Sequence, residues 1–161
     1  LDGLTGVFNA ATIRELVDER LEQKGPKTHD AFLLLDADSF KQVNDNLGHY
    51  TGDQVLKELA TVIKRTFRAT DIIGRHGGDE FCVYMKNIPS VEFVHNKCRQ
   101  LINSATRTIE GVTFSICVGA VIIMRKQSYD EIFQAADAAL YQAKNLGHGE
   151  AVVVDQRPVE G

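Results

Sequence analysis

Residues 31–38 read AFLLLDAD, five apolar residues that run directly into two aspartates around one alanine. A continuous apolar run of this length is typical of a central strand buried on both faces of a sheet. Because an unpaired buried charge is costly, Asp36 and Asp38 are expected at the strand end with a compensating partner. Mg²⁺ is a natural partner, since it binds carboxylates and substrate phosphates together. Taken alone, the segment fits equally well a solvated Asp36 and an Asp38 that caps the next helix.

Helical and strand patterns alternate on either side of this strand. Apolar positions at spacings of three and four predict helices that begin near Asn9, Ser39, Thr51, Ser90 and Ser128. Thr51-x-x-Gln54 and Ser128-x-x-Glu131 read as capping boxes. Further strands are predicted over residues 71–74, 81–85, 112–122 and 151–154. The chain is therefore predicted to form an α/β (α+β) sandwich with a central sheet of about five strands flanked by helices.

Composition narrows the function. The 161 residues are 43 % apolar and 25 % charged, which fits one soluble globular domain. The net charge of −4, from 18 basic and 22 acidic residues, argues against binding to nucleic acid polymers. No apolar run approaches the ~20 residues of a membrane span, so no direct membrane contact is expected of this domain. Three widely spaced cysteines, Cys82, Cys98 and Cys117, are predicted to be buried, reduced thiols of a cytoplasmic protein.

A second acidic pair, Asp79-Glu80, follows Gly77-Gly78. Glycines adopt positive φ readily, so this run predicts a tight turn between two strands. If the hairpin lies beside the strand 31–35, Asp36 and Asp79 converge and can hold Mg²⁺ against a triphosphate, as nucleotidyl transfer requires. On its own, the run is more simply interpreted as an exposed turn.

Four motifs in order resemble the GGDEF family of diguanylate cyclases. They are DGLT at 2–5, DADSFKQVND at 36–45 with GHYTGD at 48–53, GGDEF at 77–81, and DAALYQAK at 137–144. The resemblance spans nearly the whole chain and implies a mostly antiparallel sheet similar to the palm of adenylyl cyclases and polymerases. It also implies a homodimer that condenses two GTP molecules into cyclic di-GMP with Mg²⁺, or with Mn²⁺ as an alternative.

The resemblance assigns roles to individual residues. The metal would be bound by Asp36, Asp79 and the backbone carbonyl of Ala37, and the catalytic residues would be Asp79, as base, and Glu80. The substrate would be bound by Ser39, Phe40, Lys41, Asn44, His49, Asp53, Lys144 and His148. A carboxylate such as Asp53 can accept both donors of the guanine Watson–Crick edge, which favours GTP over ATP. Asp53 is also where an acid would stabilise the first turn of a helix.

One motif suggests regulation, and three positions depart from the family pattern. Arg68-x-x-Asp71 resembles the family's inhibitory site, where the product binds the planar fork of the arginine; a surface ion pair is the alternative. Ala10 and His76 stand where an arginine and an aromatic are common. His148 replaces an arginine that helps to bind phosphate, and a neutral histidine is a weaker partner. A catalytically weak module that binds GTP or cyclic di-GMP therefore stays open, as does a cyclase of another nucleotide.

The extent of the domain follows from the same motifs. Residues 1–155 are expected to form the catalytic domain and residues 156–161 a disordered tail. Because the chain begins at Leu1 rather than Met, we expect it to be the C-terminal fragment of a larger cytoplasmic signalling protein, whose upstream part could carry a membrane anchor.

Overall fold

The computed structural model describes residues 1–155; the predicted tail, residues 156–161, lies outside the described residues. The strands are β1 (Phe8–Asn9), β2 (Asp30–Asp38), β3 (Ile72–Gly77), β4 (Glu80–Met85), β5 (Arg107–Ile109), β6 (Val112–Ile123) and β7 (Ala151–Asp155). The helices are α1 (Ala10–Gln23), α2 (Phe40–Leu47), α3 (His49–Thr66), α4 (Val91–Ala105) and α5 (Tyr129–Leu146).

These strands form one sheet in the order β1-β3-β4-β2-β6-β5, with β7 also paired to β6. The central strand β2 is antiparallel to both β4 and β6, and only β1–β3 and β6–β7 pair in parallel within residues 1–155. The predicted mixed fold is confirmed. The sheet has seven strands rather than about five, because β1 with two residues and β5 with three are too short to show a hydrophobic period.

The uninterrupted apolar run of β2 reflects a core on both faces of the sheet. Leu33 and Leu35 belong to a cluster built with α3 and α4, whereas Phe32 and Leu34 belong to one built with α1 and α5. All of residues 31–35 are fully buried. Because successive side chains of a strand point to opposite faces, every position of such a strand must be apolar.

Four of the five predicted helix starts are confirmed, since Asn9, Ser39, Ser90 and Ser128 are the residues that precede α1, α2, α4 and α5, and one differs. Asn9 Oδ1 accepts a hydrogen bond of 2.9 Å from the Thr12 N–H at the start of α1, and Ser128 and Glu131 form the predicted capping box of α5. The capping box predicted at Thr51 is wrong, since α3 begins at His49. Gly48, with φ of 88°, connects α2 to α3 in a single residue, so α3 begins two residues before Thr51, earlier in the chain than predicted.

Gly119 lets α5 lie directly on the sheet. A Cβ at this position of β6 would collide with the α5 backbone at Ala136 and Leu140. The close approach carries Lys144, one turn beyond Leu140, to the end of β2.

Burial of the thiols is confirmed, since Cys82, Cys98 and Cys117 are all buried and none forms a disulfide. None of the helices within residues 1–155 has both the length and the apolar character that a membrane crossing requires. The cytoplasmic location stays a prediction.

Candidate active site

Carboxylates gather at the C-terminal end of β2. Asp36 is the direct register partner of Glu80 in β4, and Asp79 lies in the two-residue turn between β3 and β4. Residues paired across antiparallel strands point to the same face. Asp36 and Glu80 therefore share the sheet face covered by α1 and α5, and Asp79 is near enough to act electrostatically on Asp36.

Lys144 reaches this group from α5. Its ammonium forms an ion pair with Asp36 and lies 3.8 Å from Asp38 Oδ1. Burial nevertheless raises the pKa of Asp36, and the charges of Asp79 and Asp38 raise it further. The pKa of Lys144 is raised despite its burial, because the ammonium interacts with Asp36.

The charge balance of this end of the sheet favours a bound cation. Burial raises the pKa of Glu80, and the charge of Asp36 raises it further. Asp137 on α5 and Asp79 add to this rise, whereas Lys144 opposes it. In the sequence, Asp137 stands out only as part of the motif at 137–144, and its effect on Glu80 was not predicted.

One buried oxygen fits a metal ligand. Asp36 Oδ1 is buried, and the Lys144 ammonium contacts it. A carboxylate oxygen in this state suits a hard cation such as Mg²⁺. Within residues 1–155 no group of three or more His, Cys, Asp and Glu side chains is placed to hold a metal by itself. A metal here would therefore need backbone and substrate oxygens as further ligands.

Ala37 and the start of α2 lie beside these carboxylates. The side chain of Ala37 is buried in the cluster on the α3–α4 face, so only its backbone could serve as a ligand. Ser39, with left-handed φ of 61°, begins α2 without a side-chain cap. The first N–H groups of a helix lack intrahelical acceptors and favour anions, so Phe40 and Lys41 stand where a phosphate could bind.

Asp38 does not cap α2, so that alternative is wrong. It accepts hydrogen bonds from Ser115 Oγ at 2.7 Å and from the Gly149 N–H at 2.9 Å. Burial raises the pKa of Asp38, but these hydrogen bonds outweigh that effect and leave it below its ordinary value. Asp38 is thus a buried, ionised acceptor rather than a helix cap. Sequence reasoning missed this role.

The predicted nucleoside residues lie where α2 packs on α3. Gly52 in α3 is the residue before Asp53. A Cβ at Gly52 would collide with Asn44 Oδ1, so the Asn44 side chain lies directly against this part of α3. His49 and Asp53 are exposed and one helical turn apart. No acid lies in the first turn of α3, so placing Asp53 there was wrong. His148 is exposed in the loop after α5, four residues beyond Lys144.

Arg68 and Asp71 lie at the other end of β4. Asp71, whose side chain is 1 % exposed, is 3.2 Å from Arg68 Nη2 and accepts a 3.2 Å hydrogen bond from the Lys86 N–H. The Arg68 guanidinium also donates to the Lys86 carbonyl and lies 5.8 Å from the Phe93 ring centre. The ion pair expected as the simpler alternative is present, and it packs against the residue that follows β4.

A buried network at this same end was not predicted. Asp30, fully buried at the start of β2, accepts two hydrogen bonds of 3.0 Å from Arg20. It also accepts bonds of 2.6 Å from Tyr84 Oη and 2.8 Å from the Asn87 N–H. An acid immediately before an apolar strand was the available signal, but its partners come from α1, from β4 and from the segment that follows β4.

Comparison with known proteins identifies the family. The model of the diguanylate cyclase GGDEF domain matches residues 1–150. The chain belongs to the GGDEF family. The predicted resemblance is therefore confirmed, and the four motifs of this GGDEF domain lie on the fold that the family implies.

Relatives and solved structures agree with this. A probable diguanylate cyclase of Escherichia coli K12, DgcC, is 34 % identical over 159 residues, 94 % of this chain and 42 % of the relative. The uncharacterized protein YtrP of Bacillus subtilis is 35 % identical over 158 residues, 96 % of this chain and 26 % of YtrP. This GGDEF domain thus spans less than half the length of these relatives.

Among solved structures, the GGDEF domain of TpbB (YfiN) from Pseudomonas aeruginosa superposes with a TM-score of 0.86 and 30 % identity, covering 94 % of this chain and 92 % of that one. DgcB of Caulobacter crescentus, solved as coiled coil and GGDEF domain in complex with c-di-GMP, gives a TM-score of 0.85 and 25 % identity, covering 95 % and 84 %.

Proposed function

We propose that this GGDEF domain is a diguanylate cyclase that condenses two GTP molecules into cyclic di-GMP and releases pyrophosphate. The observation that supports this most is the cross-strand pair of Asp36 and Glu80, with Asp79 in the adjoining turn and Lys144 as the opposing cation. Acids that face one another at a strand end, beside the N-terminus of α2, suit a metal-bound triphosphate.

The metal would be held by Asp36, Asp79 and the carbonyl of Ala37. Mg²⁺, or Mn²⁺ in its place, would supply polarisation of the α-phosphate and acidify the attacking 3′-hydroxyl. The raised pKa of Asp36 and the cluster of acids around it are consistent with a site that gains a cation on binding substrate.

The protein's own groups bind and orient GTP. The N–H groups of Ser39 and Phe40 bind phosphate at the start of α2, and Lys41, Lys144 and His148 add positive charge or hydrogen bonds. Asn44, His49 and Asp53 hold the nucleoside at the α2–α3 corner. Asp79 accepts the proton of the 3′-hydroxyl, and Glu80, the register partner of Asp36, acts beside it.

One such site holds one GTP, so the reaction needs a homodimer in which two sites face each other. Each 3′-hydroxyl then attacks the α-phosphate of the other nucleotide. Arg68 and Asp71 form the product-binding site through which cyclic di-GMP inhibits the enzyme. We further propose that residues 1–155 are the catalytic part of a longer cytoplasmic signalling protein whose upstream part brings two domains together.

The experiment that tests this uses the domain fused to a dimerising coiled coil, incubated with Mg²⁺ and either GTP or ATP, with products separated by chromatography. Cyclic di-GMP is expected from GTP, and nothing cyclic from ATP. Asp79→Asn should abolish product. Asp130→Asn should not, because this exposed acid lies at the start of α5, far along the helix from Lys144.

A second function follows from His148. Because an imidazole is a weaker phosphate partner than the arginine it replaces, the domain could bind GTP or cyclic di-GMP and signal without turnover. A dimerised domain that binds GTP but forms no cyclic dinucleotide would favour this binding module over the cyclase. A cyclic product from ATP would instead indicate a cyclase of another nucleotide.

A further inference from the structure

The loop that follows α5 is fastened to the sheet at both of its glycines. The Gly149 N–H donates to Asp38 Oδ2 at 2.9 Å, and the Gly147 carbonyl accepts from Cys117 Sγ at 3.3 Å. Immediately after the loop, the Glu150 carbonyl accepts a 2.9 Å bond from the Val118 N–H. Three hydrogen bonds thus tie residues 147–150 to β2 and β6.

The groups that hold the loop are buried and polar. Asp38 is 6 % exposed, Ser115 4 % and Cys117 0 %. Ser115 Oγ donates 2.7 Å to the same Asp38 oxygen that accepts from Gly149. Buried polar groups are costly unless they are hydrogen-bonded, and here Asp38 accepts one of its two bonds from this loop, while Cys117 donates to the loop. Burial raises the pKa of Cys117 to about 11, so the thiol keeps its proton and can donate at neutral pH.

His148 is the one residue with a side chain between the two glycines of the loop. Gly147 and Gly149 have φ of 138° and 65°, values that favour glycine. His148 between them is exposed. The anchor Cys117 is the register partner of Asp36, which also pairs with Lys144. The fastened loop therefore lies beside the carboxylate end of the sheet.

We propose that Asp38 and Cys117 are positioning residues that hold the Gly147–Gly149 loop so that His148 meets the phosphates of the bound nucleotide. This inference rests on the proposed function, because it assigns the loop to the triphosphate of GTP. Neither Asp38 nor Cys117 touches the substrate. A loop held at both ends loses little conformational freedom on binding, which offsets part of the weakness of an imidazole, compared with a guanidinium, as a phosphate partner.

The test compares nucleotides with and without the outer phosphates. Dissociation constants of 3′-deoxy-GTP and 3′-deoxy-GMP, which lack the attacking hydroxyl, are measured with Mg²⁺ for wild type, Cys117→Ala, His148→Ala and the double variant. The preference for the triphosphate is expected to fall about 3–10-fold in each single variant, as for a hydrogen bond of ordinary strength. The double variant should lose no more than His148→Ala alone, because the thiol acts through the histidine.

Two variants serve as controls. Cys98→Ala removes a buried thiol from the core on α4, and the preference should stay at the wild-type value. Cys117→Ser keeps a donor and should retain most of the preference. Equal weakening of both nucleotides by Cys117→Ala would mean a general packing effect and would overturn the inference, as would additive losses in the double variant.

Amide hydrogen exchange at Gly149 separates the loop from the substrate. Cys117→Ala and Asp38→Ala should each speed this exchange by about tenfold or more, the change that losing one such bond produces, and Cys98→Ala should not. A wild-type domain that binds neither nucleotide would overturn the proposed function. The exchange rates would still test whether Asp38 and Cys117 hold the loop, because they need no bound nucleotide. Unchanged exchange in Cys117→Ala would overturn that fastening, whatever the domain binds.

Discussion

The ammonium of Lys144 on α5 forms an ion pair with the carboxylate of Asp36 at the end of β2. This contact joins a helix near the C-terminus to the central strand of the sheet. If a metal ion reaches Asp36 when GTP binds, Lys144 must leave this carboxylate and turn to the phosphates. In the proposed function, the ion pair would therefore compete with the metal before substrate arrives.

Lys144→Gln tests this competition. GTP should bind about 10–100-fold more weakly, since a charge-assisted hydrogen bond to phosphate is lost. Mn²⁺ without nucleotide should bind more tightly, because no ammonium then has to be displaced from Asp36. Titration calorimetry measures both, and Lys57→Gln on the exposed side of α3 is the matched control. Weaker Mn²⁺ binding by Lys144→Gln would contradict the competition.

Stability should depend on pH through Glu80. Its pKa is raised by burial and by Asp36, so the ionised form is disfavoured in the folded protein, and stability falls as pH rises through the folded pKa. At pH 7 without metal, Glu80→Gln should raise the melting temperature by about 2–4 °C, the shift that ~1 kcal/mol produces in a domain of this size. Well below the ordinary pKa of 4.5, the difference should vanish, because Glu80 is then protonated in both states.

Asp38→Asn should change the melting temperature at neutral pH in the opposite direction to Glu80→Gln. The folded pKa of Asp38 is lowered, so its ionised form stabilises the fold at neutral pH, and that stability is lost as pH falls. The variant should melt below wild type at pH 7 and approach it in acid. Melting temperatures of Glu80→Gln and Asp38→Asn are measured across pH. A shift of the same sign in both variants at pH 7 would contradict the raised pKa of Glu80 or the lowered pKa of Asp38.

Arg20→Met should be among the most destabilising changes outside the site. It would leave the fully buried Asp30 without its cation, a loss of about 3–5 kcal/mol in the free energy of unfolding. Arg14→Met is the control, since its ion pair with Asp130 is 50 % and 68 % exposed and should contribute about 0–1 kcal/mol. Urea unfolding measures both; similar losses would mean that burial of the pair does not matter.

Gly119→Ala should disturb the packing of α5. The added methyl group would meet backbone atoms of Ala136 and Leu140, which cannot turn aside as a side chain can. We expect a loss of about 1–3 kcal/mol in unfolding free energy, and weaker GTP binding if α5 shifts Lys144. Gly25→Ala, with only Thr28 Oγ1 at 3.8 Å, should be nearly neutral and serves as the control.

Arg68→Ala should relieve inhibition by cyclic di-GMP. The guanidinium that would bind the product is removed, whereas the carboxylates around Asp36 are untouched. Initial rates of the dimerised domain at increasing cyclic di-GMP concentration give the inhibition constant, which should rise about tenfold or more. Arg65→Ala on the exposed side of α3 is the control. An unchanged inhibition constant would rule out Arg68 as the product site.

Local patterns determined much of this GGDEF domain. The apolar run of 31–35 predicted a strand buried on both faces, and the structure buries all five residues. The run of Gly77 to Phe81 predicted the hairpin, and Gly78 and Asp79 form its turn. Strands of two or three residues, such as β1 and β5, carry no periodic signal, and the start of α3 depended on the single-residue connection at Gly48.

The tertiary structure alone decided which polar groups meet. Asp38 looked like a helix cap, yet its partner Gly149 is 111 residues away. Asp30 bonds Tyr84 across 54 residues, and Lys144 was predicted to bind phosphate but not to pair with Asp36. Periodicity and turn chemistry act over a few residues, so sequence places each acid at a strand end. The free energy of burying that acid is settled only by the donors that folding brings to it.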